Sequence, residues 1–132
     1  MSKAYRFHNG APLSREIFVF GSNLLGLHEG GAAGHALRHR GAQHGIGQGF
    51  MGACYALPTC ERPGIPLTLH EVAAGVILFI AYARLARPEL TYYVTAVGTG
   101  IAGFKHEDIA PLFLSVPDNC ILPMEWSGLL TT

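Results

Sequence analysis

Leu90-Thr91-Tyr92-Tyr93-Val94-Thr95-Ala96-Val97 runs without a break into Gly98-Thr99-Gly100-Ile101-Ala102-Gly103-Phe104. The first eight residues are β-branched and aromatic, the composition of a strand, with Tyr92, Tyr93 and Thr95 expected to alternate across a half-buried sheet. The next stretch cannot continue that strand, because its glycines leave the backbone free to turn. A strand that empties into a glycine-rich turn marks the place where α/β sheets hold ligands, outside the carboxyl ends of their strands.

Upstream, Thr68-Leu69-His70-Glu71 has the capping-box pattern, in which each side chain satisfies the other residue's free backbone N–H at a helix start. Val72, Val76, Phe79, Ile80 and Ala83 then share one face at helical spacing, the pattern runs to about Arg87, and Pro88 ends it. Further back, Ile17-Phe18-Val19-Phe20 is a continuous apolar run ending at Gly21-Ser22-Asn23, as expected of a central strand buried on both faces. Gly30-Gly31-Ala32-Ala33-Gly34 opens a short helix that Gly41 is placed to terminate in the left-handed conformation. Residues 44–52 carry Gly45, Gly47, Gly49 and Gly52 and read as a loop with backbone freedom, suited to closing over a site. Ala53 to Leu57 predicts a second strand stopped by Pro58, followed by a turn at Pro63-Gly64-Ile65-Pro66. Downstream, Asp108 is placed to cap a short helix with Pro111 in its first turn, residues 119–122 predict a last strand, and Trp126 an anchor for the tail. The order β-α-β-α-β-α-β predicts one α/β domain with a mostly parallel sheet covered by helices.

Composition narrows the function. The chain has 132 residues, enough for one core that buries about two-thirds of the unfolded surface. Nine Lys+Arg balance nine Asp+Glu, so no global field draws nucleic acid or an acidic membrane, and an anionic ligand must be caught locally. The hydrophobic fraction of 49% excludes disorder and favours a partner surface, self-association included. Cys54, Cys60 and Cys120 lack the spacing of a disulfide framework or a zinc site, and the first residues lack an apolar signal segment, which together predict a cytoplasmic protein. Val72 to Ala83, about a dozen apolar residues, falls short of the roughly 18 that span a membrane.

Gly98-Thr99-Gly100-Ile101-Ala102-Gly103 satisfies the dinucleotide fingerprint G-x-G-x-x-G, yet that motif belongs on the first βα turn of a longer unit, and only about thirty residues follow here. A P-loop fails because Phe104 stands where its lysine should be. The remaining alternatives are an ordinary tight turn and a phosphate loop. A second glycine-rich stretch after another central strand favours the latter, since two loops whose N–H groups converge embrace a diphosphate without any lysine. His35 and His39, four apart, lack the H-E-x-x-H glutamate, Ala36 standing in its place, and read as a solvated helix face with Arg38 and Arg40. No metal or cofactor is expected, and there is no Gly-x-Ser-x-Gly elbow.

These residues resemble the macro domains, which bind ADP-ribose. Residues 17–41 look like the macro-domain strand that ends in Asn, followed by a glycine loop and helix, and residues 97–104 look like the family's second phosphate loop, Thr/Ser-Gly-Ile-x-Gly with an aromatic. The resemblance spans roughly residues 16–122 of a chain shorter than a typical macro domain, as in compact bacterial and phage relatives. It implies a three-layer α/β/α fold in which Gly21 and Ser22 flank the ligand and the backbone of Gly30, Gly31, Ala32, Ala33 and Gly34 and of Gly98, Thr99, Gly100, Ile101, Ala102 and Gly103 holds the diphosphate. It places Phe104 against the distal ribose and Asn23 on the ribose hydroxyls. Asn9 falls where the family has its adenine-binding Asp. In the hydrolytic branches an Asp follows the first-loop glycines; here Ala33 stands near that position, and the paired glutamates of the poly(ADP-ribose)-cleaving branch are missing. For hydrolysis of an ADP-ribosyl derivative, such as an ADP-ribosylated protein or ADP-ribose 1″-phosphate, His28, Glu29 and His35 are the candidate acids and bases. A non-catalytic nucleotide sensor and a small structural protein with glycine turns remain the other readings.

Overall fold

Over residues 4–130, which the computed structural model describes, seven strands and three α-helices follow one another. They are β1 (Arg6–His8), β2 (Ile17–Asn23), α1 (Gly31–His39), β3 (Gly49–Met51), β4 (Cys54–Arg62), β5 (Ile65–Pro66), α2 (Leu69–Ala81), β6 (Tyr92–Val94), α3 (His106–Ile109) and β7 (Cys120–Pro123). The sheet runs β1-β7-β6-β2-β4-β3, with β5 also on β4. Neighbours from β1 to β4 are parallel, and β3 and β5 pair antiparallel with β4. The result is an α/β protein with a mostly parallel, mixed sheet.

Alternation along the strands sorts the core. Ile17 and Val19 of β2 and Tyr55 and Leu57 of β4 join a cluster with Val72, Val76 and Phe79 of α2, Ile109, Phe113 and Trp126. Phe18, Phe20, Cys54 and Ala56, the residues between them, join a second cluster with Ala36 of α1. Both faces of the central strands are therefore dry, which is why the sequence there is a continuous apolar run rather than an alternating one. α2 starts as expected, with Glu71 N–H donating to Thr68 Oγ1 at 3.1 Å and Thr68 N–H donating to Glu71 Oε1 at 2.9 Å. It ends in a π turn, Tyr82–Ala86, closed by Arg87 N–H on the Tyr82 carbonyl. Gly41 is left-handed, φ +79°, as its place after α1 predicts.

Several expectations are corrected. Pro58 does not stop the second strand: β4 continues to Arg62. Pro58 lies between the residues paired with β3 and those paired with β5, where no antiparallel partner calls for its missing N–H, and the register with β2 shifts by one residue beside it. The strands β1, β3 and β5 are too short to leave a period in the sequence. The strand expected over residues 90–97 keeps its ladder only at Tyr92–Val94, and Tyr92 is fully buried rather than half-buried. Asp108 sits inside α3, not at its cap; its carboxylate accepts the Lys105 N–H at 3.2 Å. Pro111 follows α3, in a 3-10 turn over Ala110–Phe113. Trp126 does anchor the C-terminal stretch, its ring tilted against Phe113 and its Nε1–H donating to His106 Nδ1 at 3.0 Å.

The loop expected over residues 44–52 is in part the edge strand β3, Gly49–Met51, paired antiparallel with β4, and the stretch before it is fastened, not free. Ser22 Oγ donates to the Gly47 carbonyl, Gly45 N–H donates to the Gly26 carbonyl at 2.9 Å, and His28 Nε2 lies 2.8 Å from the Ile46 carbonyl. A Cβ on Gly47 would stand 2.1 Å from the Asn23 carbonyl oxygen, so the glycine is there for close approach to β2.

Candidate functional site

The parallel strands all end on one side, and the chain leaves them in opposite directions. From β2 it runs through α1 to β4 on one flank; from β6 it runs through α3 to β7 on the other. Between the ends of β2 and β6 no connection covers the sheet, the switch point at which a crevice opens. A cleft of about 620 Å³ lies there. It is lined by Gly21, Ser22 and Asn23 from the end of β2, by Glu29 to Ala33 from the start of α1, and by Thr95 to Ala102 after β6.

Each glycine has its own reason. A Cβ on Gly21 would lie 3.4 Å from the Gly98 amide nitrogen, so the two strand ends come together there. Gly98 is left-handed, φ +78°, and a Cβ would press on Ile109 Cδ1 at 3.2 Å and Phe104 Cδ2 at 3.3 Å. Phe104 N–H donates to the Gly98 carbonyl and Gly103 N–H to the Gly100 carbonyl, both at 2.9 Å, which closes residues 98–104 into a tight loop. Gly30, Gly31 and Gly100, by contrast, have no atom within 4 Å of a Cβ and border open space.

What the cleft offers is backbone donors. Gly30 caps α1 without a side chain and the first turn holds no acid, so the N–H groups of Gly31, Ala32 and Ala33 have no intrahelical acceptor. The amides of Gly100, Ile101 and Ala102 donate to no backbone acceptor among the described residues. Among the described lining residues no Lys, Arg or His occurs, and Glu29 is the one carboxylate. The Asn23 carboxamide holds its own turn, Nδ2–H donating to the Leu27 carbonyl at 3.0 Å and Oδ1 accepting the Leu27 N–H at 3.1 Å. It keeps one further donor and one further acceptor site.

No protein-family model, curated protein or solved structure matches this chain.

The remaining expected site residues lie elsewhere. His28 is fully buried behind β2, its ring edge-on to Phe20, with Nε2–H donating to Ile46 and Nδ1 an unpaired acceptor. His35 faces Phe18 and His39; burial, then the charges of His39, Arg40 and Arg38, hold its imidazole below the usual range. Gly34 is tucked beneath the helix start, 2.9 Å from the Glu29 carbonyl oxygen at a would-be Cβ. Phe104 packs under the second loop against the core, and Gly103 closes that loop without lining the cleft. Sequence reading did not place Leu27, Thr59, Cys60 and Pro63 in the site, and they complete the wall; ending the second strand at Pro58 removed Thr59 and Cys60 from view. A smaller hollow of about 250 Å³, lined by His8, Asn9, Tyr93 and Glu125, shares Thr95 and Ala96 with the cleft. The amide donors act as preorganised dipoles that favour an anionic group in the cleft.

Proposed function

We propose that this protein is a macro-like ADP-ribose-binding domain in a three-layer α/β/α arrangement, with the diphosphate held by backbone N–H groups. The observation that carries the reading is the pair of unsatisfied amide sets, Gly31 to Ala33 and Gly100 to Ala102, on two loops of one cleft that lacks any cationic side chain. Orphan donors at a helix start favour an anion, and a second set of donors favours two linked phosphates over one. The cleft volume falls within the range of small-molecule sites. Asn9, at the position the resemblance gives to adenine recognition, borders the adjoining hollow, which takes the adenosine end. Asn23 has one donor and one acceptor left for the distal ribose.

Hydrolysis of an ADP-ribosyl derivative is a second reading, favoured by Glu29, which lines the cleft with Asn23 and is the carboxylate available to move a proton there. The buried His28, and His35, which packs on Phe18 outside the cleft lining, support it less. Titration calorimetry with ADP-ribose tests the binding reading: one saturable site is expected, and no heat at millimolar ligand removes both readings. Incubation with ADP-ribosylated protein and with ADP-ribose 1″-phosphate separates them. Product formation that falls at least about 100-fold in Glu29→Gln, with affinity retained, supports catalysis; binding without product leaves a sensor.

A further inference from the structure

Trp126 is fully buried, and its Nε1–H donates to His106 Nδ1 at 3.0 Å. An indole N–H only donates, so the bond needs an imidazole nitrogen that carries no proton. His106 is half-buried, open enough for a proton to reach it from solvent. Once it takes one, both ring nitrogens donate, and two N–H groups face each other where one bond stood. Histidine is the side chain that makes this change between about pH 5 and 8. The buried indole N–H then has no partner, which favours any arrangement that lets it reach water.

The two residues stand on segments that meet the two cavities. His106 opens α3, a single turn whose last residue, Ile109, supports the second glycine loop: a Cβ on Gly98 would lie 3.2 Å from Ile109 Cδ1. Trp126 closes the 3-10 turn Met124–Trp126, and Glu125 within that turn and Pro123 just before it line the hollow beside the cleft. We propose that the His106–Trp126 hydrogen bond is a pH-sensitive clasp between these two walls, closed while His106 is neutral and opened by its protonation. His106 is a positioning residue: it lines neither cavity and acts through Trp126 and Ile109.

The charges near the clasp leave the indole no second acceptor. α3 packs on the 3-10 turns Ala110–Phe113 and Met124–Trp126. The first has no ionisable side chain and the second has Glu125, while α3 and its cap add Lys105, Glu107 and Asp108. All four are exposed, where solvent and salt screen them, and the Asp108 carboxylate already accepts the Lys105 N–H. The indole N–H goes to His106 and to none of these.

The chain has one tryptophan, so every indole signal reports on Trp126. Its emission, and the exchange protection of its N–H measured by NMR against free tryptophan at the same pH, are followed from about pH 8 to pH 5. In the wild type the emission changes in one step and the protection falls at least about tenfold. His106→Asn, whose Oδ1 accepts in place of Nδ1 without titrating, keeps its protection throughout; His106→Ala has no acceptor and is weakly protected throughout. Emission and protection that stay constant in the wild type, or that change equally in His106→Asn, overturn the clasp. So does His106→Ala protected as well as the wild type at pH 8. The consequence for ligand rests on the ADP-ribose reading: acidification should weaken ADP-ribose binding about threefold or more in the wild type and not in His106→Asn. Equal weakening in both overturns the link between clasp and site. Absence of ADP-ribose binding at every pH removes the proposed function instead, and emission and exchange still decide the clasp.

Discussion

Gly98 and Gly100 stand two residues apart in one motif and do different jobs. Gly100 is exposed, borders the cleft and has free space where a Cβ would be, so Gly100→Glu sets a carboxylate among the N–H donors without disturbing the fold. Affinity for ADP-ribose is expected to fall at least about 100-fold, at an unchanged melting temperature, as read by calorimetry and thermal unfolding. Gly98 is left-handed and closely packed, so Gly98→Ala strains the backbone and pushes on Ile109 and Phe104. It should destabilise by about 1–3 kcal/mol in urea unfolding; an unaltered midpoint contradicts that account. The motif was legible in the sequence, but not this division of labour, because φ and the distance to Phe104 are set by how the loop sits on the core.

The start of α2 shows an element written in local sequence. Thr68→Ala removes the cap and should cost about 1 kcal/mol in urea unfolding at neutral pH. Its backbone and side-chain hydrogen bonds from Thr68 hold the Glu71 carboxyl below its usual range. The stabilisation is therefore complete above the ordinary carboxylate pKa and disappears as pH falls through the lowered value. The gap between wild type and Thr68→Ala should narrow on acidification, and a constant gap counts against the capping box. β4 is the opposite case. Proline normally ends a strand, and only the arrangement of β3 and β5 on either side of Pro58 lets this one continue.

At the scale of the whole molecule, both core clusters contain ionisable groups held neutral by burial. The Cys54 thiol is pushed up to about 11 and the Tyr55 hydroxyl to about 12, and burial also raises Tyr92. The native state keeps protons that the unfolded chain releases, so this contribution is full below the ordinary pKa values and is lost as pH rises through the raised ones. The melting temperature should decline from about pH 9 onward, in step with the ordinary thiol pKa. The thiols of Cys54 and Cys120, closed off from solvent, should react with alkylating reagents only on unfolding. A flat melting profile to pH 11, or rapid labelling of the native protein, contradicts this picture.

The sequence by itself determined the α/β character, through the continuous apolar run of β2, the amphipathic pattern and cap of α2, and glycine turns at strand ends. These are local or periodic signals, and their physics lies within a few residues. Strand order, the short edge strands, the fastening of Gly45 to Gly47 on β2 and the turn that follows it, and the placement of Thr59 and Cys60 in the cleft came only with the tertiary structure. So did the separation of Glu29, which faces the cleft, from His28 next to it, which is buried behind β2. Adjacent side chains point to different surroundings, and which of them meets the site depends on contacts between segments far apart in the chain.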